Sequence, residues 1–105
     1  MIAKTPEPPY YSVIFTSVLK QDPIGYSEMA EKIEQPAMEQ PGYLGFESAR
    51  SEIGISISYW KDLESIRIWK QNTAHLLAQK LGKVKWYKYY KIRIARVERD
   101  YSKEL

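Results

Sequence analysis

The stretch ISISYWKDLESIRIW, residues 55–69, contains two hydrophobic periods in direct succession. From residue 55 to 60, isoleucine and aromatic side chains alternate with serine, and a period of two indicates a strand. Asp62 is of a type that caps helix N-termini, and apolar residues recur at helical spacing from Leu63 to Trp69. This stretch therefore predicts a strand that leads directly into a helix.

The same kind of unit precedes it, because an aromatic and β-branched segment is followed by residues with helical spacing. A break of this first helix is expected near Pro36, since proline cannot sit inside a helix. The order β-α-β-β-α-β predicts an α+β, ferredoxin-like fold with an antiparallel sheet. The predicted strands are Tyr10–Leu19, Tyr43–Arg50, Ile55–Trp60 and Tyr89–Glu98, and the predicted helical segments are Tyr26–Gln40, Leu63–Leu81 and a short turn around Lys83–Tyr87.

The chain has 105 residues, which suits a single domain. Residues 1–9 contain three prolines and are expected to form an extended lead-in. Residues 10–99 hold all the predicted elements and form the domain, and residues 100–105 are a charged tail. We therefore expect one folded unit with two short terminal extensions.

The first strand is apolar on both faces, with Tyr11, Val13 and Phe15 on one side and Ile14 and Val18 on the other. An antiparallel sheet with one face in water shows a cleaner alternation. The two helices would cover one face only. The pattern therefore predicts that a second copy of the chain covers the other face, in a homodimer.

The composition excludes several kinds of site. With no cysteine and one histidine, the chain can form neither a disulfide nor a metal site built from cysteine or several histidines. The first residues lack the apolar core of a signal peptide, and no segment reaches the length of a membrane span. We therefore expect a cytoplasmic protein with no membrane partner and no bound metal.

The net charge of +3 is unevenly distributed, since residues 61–99 carry 11 basic and 3 acidic side chains. Such a segment is typical of a nucleic-acid surface or of the solvated face of a helix and a strand. The stacking strand motif of RNA-recognition domains is missing from the sequence. We therefore expect no nucleic-acid partner.

Several short segments, in this order, resemble the antibiotic biosynthesis monooxygenase (ABM) family from about residue 10 to 99. They are Pro41–Gly45, Ser58–Trp60, Asp62–Trp69, His75-Leu76, Trp86-Tyr87 and Arg93–Glu98. The resemblance implies a dimer in which two sheets form a shared α/β barrel, with a small-molecule pocket between the helices and the sheet of each subunit. Family members include cofactor-independent oxygenases of polyketide quinones and haem-degrading enzymes.

His75 and Arg93 are the candidate catalytic residues. His75 is the one side chain that titrates near neutral pH when unperturbed, so it is a candidate base. Asn72-Thr73 is a candidate interruption of the second helix, since both residues favour caps over helix interiors. If the helix continues, His75 follows Ile68 and Asn72 on one polar stripe. Arg93 or Tyr90 would then stabilise an anionic oxygen. The alternatives are a surface histidine and a solvent-facing arginine.

The candidate substrate contacts are aromatic or amide side chains, because aromatic rings stack on ring compounds and hydroxyls bind their oxygen atoms. The same aromatic residues would also suit the core or a dimer interface. The candidates are Trp69, Asn72, Trp86, Tyr87 and Tyr90.

The resemblance favours a cofactor-independent monooxygenase that acts on an aromatic or quinone-type compound. A non-catalytic small-molecule-binding or stress protein is the alternative. Haem is a further alternative, because Trp69 stands where haem-degrading members carry a pocket tryptophan. Gln79 stands where those members carry the haem-ligating histidine, however, and His75 comes one helical turn too early. We therefore expect no cofactor.

Overall fold

A computed structural model describes residues 2–20, 36–72 and 86–105. Its strands and its helix follow the order β-β-β-α-β within these residues. The elements are β1 (Tyr10–Leu19), β2 (Tyr43–Arg50), β3 (Gly54–Trp60), α1 (Leu63–Lys70) and β4 (Tyr87–Val97).

The strands of the described part form one four-stranded sheet in the order β2-β3-β1-β4. Each neighbouring pair is antiparallel. Strands β3 and β1 are therefore central, and β2 and β4 are the edges. This order and direction confirm the predicted ferredoxin-like α+β fold.

Strands β3 and β4 begin earlier than predicted. Gly54 pairs with both Ser17 and Arg50, although glycine has a low strand propensity. Tyr87 pairs with Leu19 beyond a register shift in β1, so the helical turn predicted to include Tyr87 is wrong at that residue. Cross-strand pairing, which the local sequence does not show, extends both strands.

Most of the first predicted helix lies outside the described residues, which include its last part from Pro36 onward. Residues 36–38 are helical, and a turn follows them. Gly42 has a φ of 87°, in the region that favours glycine. Its carbonyl accepts a hydrogen bond from the Lys61 amide at 2.8 Å, which ties this turn to the end of β3. The predicted stop at Pro41-Gly42 is therefore present.

Helix α1 begins as predicted, because Asp62 Oδ1 accepts a hydrogen bond from the Ser65 amide at 2.7 Å. It ends at Lys70, with Gln71 as its C-cap. Asn72 therefore lies beyond the helix, and the continuous helix that the polar stripe required does not extend through it. Residues 73–81 of that predicted helix lie outside the described part.

The buried face of α1 packs on one end of the sheet. Trp60 is fully buried, and its ring stacks on Trp69 with a centroid distance of 6.3 Å. Ile66 and Ala37 complete this buried cluster. Partly buried side chains of β1 and β2 pack against it, namely Tyr11, Val13 and Tyr43. The core thus identifies which face of the sheet lies beneath α1.

Candidate functional site

The face of the sheet that carries Tyr11 and Val13, here called the helix face, is arranged in cross-strand rows. Directly opposed residues of antiparallel strands point to the same side, so the pairing register defines each row. In the order β2, β3, β1, β4, the rows are Arg50-Gly54-Ser17-Tyr90, Ser48-Ser56-Phe15-Ile92, Phe46-Ser58-Val13-Ile94 and Tyr43-Trp60-Tyr11-Arg96. Rows lie roughly 7 Å apart, so the first and last are separated by about 20 Å.

The first of these rows, here called the polar row, lies at the end of the sheet away from the buried tryptophans. Ser17 is fully buried, and its Oγ accepts a hydrogen bond from Arg50 Nη2. The arginine side chain passes over Gly54, where an added Cβ would lie 2.1 Å from its Cζ. The missing side chain at Gly54 therefore lets a guanidinium from the edge strand reach the centre of the sheet.

Three rings beside the polar row form an aromatic trio of Phe15, Tyr87 and Tyr90. Phe15 stacks on Tyr90 with a centroid distance of 5.5 Å and an interplanar angle of 21°. Tyr87 meets Phe15 edge to face at 5.3 Å. Because Tyr90 is directly opposite Ser17, the trio adjoins the buried hydroxyl and the guanidinium. Apolar ring faces and polar groups thus lie side by side at this end of the helix face.

Two of the predicted substrate contacts, Tyr87 and Tyr90, lie in this trio. Trp86 is 3% exposed, and its carbonyl accepts a hydrogen bond from the Lys20 amide at 2.7 Å. Trp69 packs in the core on Trp60. Asn72 lies just beyond α1, with its amide bonded to the Trp69 carbonyl at 3.0 Å. The structure therefore places Tyr87 and Tyr90 beside the polar row and Trp69 in the buried cluster with Trp60, and the binding roles of all five candidates stay predictions.

The structure does not bring the two candidate catalytic residues into one described site. Arg93 is exposed and lies opposite Ile14, on the face away from α1. Arg93 therefore does not share a face with Tyr90 and is poorly placed to serve a pocket on the helix face. His75 lies outside the described residues.

Sequence reasoning missed Arg50 and Ser17. A signal was present, because Ser56 and Ser58 alternate with isoleucines in β3, and Arg50 continues the alternation of β2. The alternation by itself does not say which face of β3 meets the helices. The pairing shows instead that these serines share the helix face with Trp60.

The opposite face of the sheet, here called the outer face, carries a second polar cluster. Glu47 accepts hydrogen bonds from the Tyr59 hydroxyl and from the Ala3 amide, both at 2.8 Å. Burial, together with this carboxylate, raises the pKa of Tyr59 to about 12. The Glu47 carboxylate thereby fastens the N-terminal lead-in to the outer face.

A neighbouring tyrosine joins both ends of the chain. The Tyr10 hydroxyl accepts a hydrogen bond from Thr5 Oγ1 at 2.9 Å and donates one to Asp100. Burial, and secondly the bond to Asp100, raises the pKa of Tyr10. The ring also packs edge to face on Tyr59 at 5.8 Å, so the two polar clusters adjoin.

Neither a metal cluster nor a helix that could span a membrane is found where the structure describes the chain. Its described side chains form no group of three or more histidine, cysteine, aspartate or glutamate residues that could hold a metal ion. No helix within the described residues is long and apolar enough to cross a membrane.

The chain is similar in sequence to the uncharacterised protein YqjZ of Bacillus subtilis. The two are 45% identical over 101 residues, which cover 94% of this chain and 89% of YqjZ. No protein-family profile matches the chain.

Solved structures with much lower identity share the fold. SnoaB from Streptomyces nogalater, a cofactor-independent oxygenase, superposes with a TM-score of 0.75 at 10% identity, over 87% of this chain and 95% of SnoaB. An antibiotic biosynthesis monooxygenase superposes with a TM-score of 0.70 at 12% identity, over 81% of this chain and 95% of that protein. Rv0793 from Mycobacterium tuberculosis gives a TM-score of 0.79 at 8% identity, over 89% and 99% of the two chains.

Proposed function

Since the chain belongs to the same protein family as YqjZ of Bacillus subtilis and has the ABM fold, we propose that it oxidises an aromatic or quinol-type small molecule with O₂ and without a cofactor. The likeness to SnoaB, described as a cofactor-independent oxygenase, motivates the reaction type. A shared fold does not establish an activity, so the proposal depends on the side chains of the helix face.

The observation that carries the proposal is the junction of the aromatic trio with the polar row. Phe15 and Tyr90 offer ring faces against which a planar substrate can pack. The Tyr90 hydroxyl is a donor for its oxygen atoms. A substrate with both rings and oxygen substituents therefore matches this surface better than an aliphatic one.

The proposed reaction converts an activated methylene and O₂ into a carbonyl and water. A base removes one C–H proton, and the resulting carbanion supplies the electrons that reduce O₂. Recombination forms a C–O bond to a hydroperoxide, which loses water with the second C–H hydrogen to leave the carbonyl. The protein must accept the first proton and stabilise the anion. We propose that His75 accepts the proton and that the Tyr90 hydroxyl stabilises the anion.

Oxygen uptake with a panel of anthrones, which carry an activated methylene, tests this proposal. We expect turnover by the wild type, incorporation of one ¹⁸O atom from ¹⁸O₂, and a loss of about 10²-fold or more in His75→Ala if the base contributes as general bases usually do. Tyr90→Phe should lower kcat, while Tyr89→Phe should leave it unchanged, because Tyr89 pairs with Val18 on the outer face. Turnover equal in the wild type and His75→Ala would refute the role of the histidine.

We propose that haem is not required. A titration with haem, followed by the Soret band, separates this proposal from the haem-degrading alternative. Absence of a stoichiometric spectral shift is expected. A saturable shift followed by oxidative loss of the Soret band would favour the alternative.

A non-catalytic binding protein is the second candidate function. It is favoured by the position of Arg93, since this predicted catalytic side chain lies on the outer face, away from the aromatic trio. This candidate predicts saturable stabilisation by aromatic ligands in a thermal-shift assay, with no oxygen consumption by any of them. Turnover of any such ligand would exclude it.

We propose that two copies of the chain pair through the outer face. Ile55 is 45% exposed there, and Ile14 pairs with Ile57 beside it. Removing these apolar side chains from water stabilises an assembly. Sedimentation should give a dimer for the wild type and for Ile53→Lys in the exposed β2–β3 turn, and a monomer for Ile57→Lys. A dimer that survives Ile57→Lys would place the interface elsewhere.

A further inference from the structure

We propose that a second copy of the chain packs on the outer face with β4 of each copy over β2 of the other, so that Arg93 pairs with the partner's Glu47. This inference rests on the proposed pairing through the outer face. It adds the orientation of the two copies, and it gives Arg93 a role in selecting that orientation.

The first argument is the order of residues in one cross-strand row of the outer face, here called the outer row. From β2 to β4 this row is Glu47-Ile57-Ile14-Arg93. An acid and a base therefore lie at its two ends, with two isoleucines between them. Neighbouring strands are about 4.8 Å apart, so the two ends are separated by about 14 Å within one chain. At that separation the acid and the base of one subunit do not form an ion pair.

The second argument is the symmetry of the outer row. A two-fold axis parallel to the strands, between Ile57 and Ile14, exchanges the two ends of the row in the facing copy. Arg93 then lies over the partner's Glu47, and Ile57 lies over the partner's Ile14. Packed sheets are about 10 Å apart, a gap that an arginine and a glutamate bridge together. A two-fold axis along the row would instead bring Arg93 over the partner's Arg93, an arrangement that like charges oppose.

The third argument is that both groups retain their charge and their access. Glu47 is half-buried, and its carboxylate accepts hydrogen bonds from the Tyr59 hydroxyl and the Ala3 amide, both at 2.8 Å. Both donors are neutral, so they orient the carboxylate without cancelling its charge. Arg93 is exposed and takes part in no ion pair within the described residues. An ion-pair partner on a second copy therefore suits both groups.

The adjacent row of the outer face supports the same orientation. It is Ala49-Ile55-Thr16-Lys91 from β2 to β4, and Lys91 is exposed. The same axis brings Lys91 over the partner's Ala49, two residues from the partner's Glu47. The isoleucines of the two rows supply apolar area, and the charges at the edges decide which orientation forms.

Charge reversal at Arg93 tests the inference. In Arg93→Glu the two pairs of each dimer become two repulsions, so the dimer Kd from sedimentation should rise about 100-fold or more. Added salt should lower this raised Kd, because it screens the repulsion. Arg96→Glu is the matched control, since it makes the same charge change in the same strand but lies opposite Tyr11 on the helix face. Its Kd should stay close to that of the wild type.

A mixture of two variants tests which residues pair. Glu47→Lys reverses the other end of the outer row, so its own dimer is also repulsive. A dimer of one Arg93→Glu chain and one Glu47→Lys chain contains two attractive pairs. Native mass spectrometry of differently tagged chains should therefore show mainly the mixed dimer. In the control mixture, Glu52→Lys in the exposed β2–β3 turn replaces Glu47→Lys, and no preference for the mixed dimer is expected.

Thermal melts establish that each variant is folded. If Glu47→Lys is not, because it loses the bonds to Tyr59 and Ala3, Glu47→Gln takes its place, and the mixed dimer should again exceed both homodimers. Equal Kd values for Arg93→Glu and Arg96→Glu, or a statistical mixture of dimers, would overturn the inference.

The variant Ile57→Lys separates this failure from failure of the outer-face pairing itself. A monomer in Ile57→Lys, together with an unchanged Kd in Arg93→Glu, would leave the outer-face pairing in place and overturn the orientation alone. A wild-type monomer, or a dimer that survives Ile57→Lys, would overturn the outer-face pairing and this inference with it.

Discussion

Replacing Tyr59 by phenylalanine removes one oxygen atom from the outer face and with it a hydrogen bond of 2.8 Å to Glu47. The second oxygen of Glu47 keeps its bond to the Ala3 amide. The ring can still pack edge to face on Tyr10. The substitution therefore tests the hydroxyl–carboxylate bond with little change in shape.

The expected loss follows from the pKa of Tyr59, which rises from its ordinary 10.0 to about 12 in the folded protein. A shift of two units corresponds to about 2.7 kcal/mol, and solvent access to this half-buried group reduces the contribution to about 1 kcal/mol. Because the folded pKa is raised, this stability is fully present below pH 10.0 and is lost as the pH rises toward about 12. The variant should unfold about 5 °C below the wild type at neutral pH.

Urea unfolding at a series of pH values between 7 and 12 measures this effect. The difference in free energy of unfolding between the wild type and Tyr59→Phe should shrink as the pH rises above 10.0, the ordinary pKa of the tyrosine. Tyr101→Phe is the control, because Tyr101 is 99% exposed. This variant should show neither a loss of stability at neutral pH nor a change in that difference as the pH rises. A difference that stays constant through this range would refute the assigned cause of the raised pKa.

Two further predictions concern the connections around α1. Gly42→Ala should destabilise the protein by about 2 kcal/mol or more in urea unfolding, because φ is 87° and the new Cβ would lie 2.1 Å from Ser65 Oγ. Adding Ser65→Gly to this variant should recover only the part of the lost stability that is due to the contact with the Ser65 side chain. Full recovery would refute a contribution from backbone strain at Gly42. Asp62→Ala should lower the melting temperature more than Asp62→Asn, which keeps the capping oxygen. Hydrogen bonds from Ser65 hold the pKa of Asp62 below its ordinary 3.8. The difference in melting temperature between the wild type and Asp62→Ala should therefore shrink as the pH falls below 3.8. A difference that persists in acid would contradict this role of the carboxylate.

The local hydrophobic pattern of the sequence predicted the secondary-structure elements well where a single period, helical or strand, dominated a segment. The bounds of β1 and β2 agree with the prediction residue for residue, and the cap at Asp62 is formed as expected. The errors lie at Gly54 and Tyr87, where pairing with a neighbouring strand extends the element. Local propensity could not predict these two strand starts, because the hydrogen bonds between strands depend on partners elsewhere in the sequence.

The candidate site was less predictable, because alternation identifies residues that share a face but not the face that meets the helices. Tyr87 and Tyr90 were chosen for their chemistry, and they do lie together beside Phe15. Arg93 was chosen on the same grounds, and the register places it on the outer face. Arg50 was overlooked because its importance depends on a glycine in the adjacent strand.

The sequence by itself determined the order of the elements, the antiparallel ferredoxin-like class and the resemblance to the ABM family, because these depend on short-range periods and capping residues. Only the tertiary structure decided which side of each strand lies beneath α1 and which residues form a row across the sheet. The register of four strands brings Ser17 and Tyr90 beside the Arg50–Gly54 hairpin, although both are distant from it and from each other in the chain. A shift of one residue would turn each side chain to the other face, so the site exists only through the pairing.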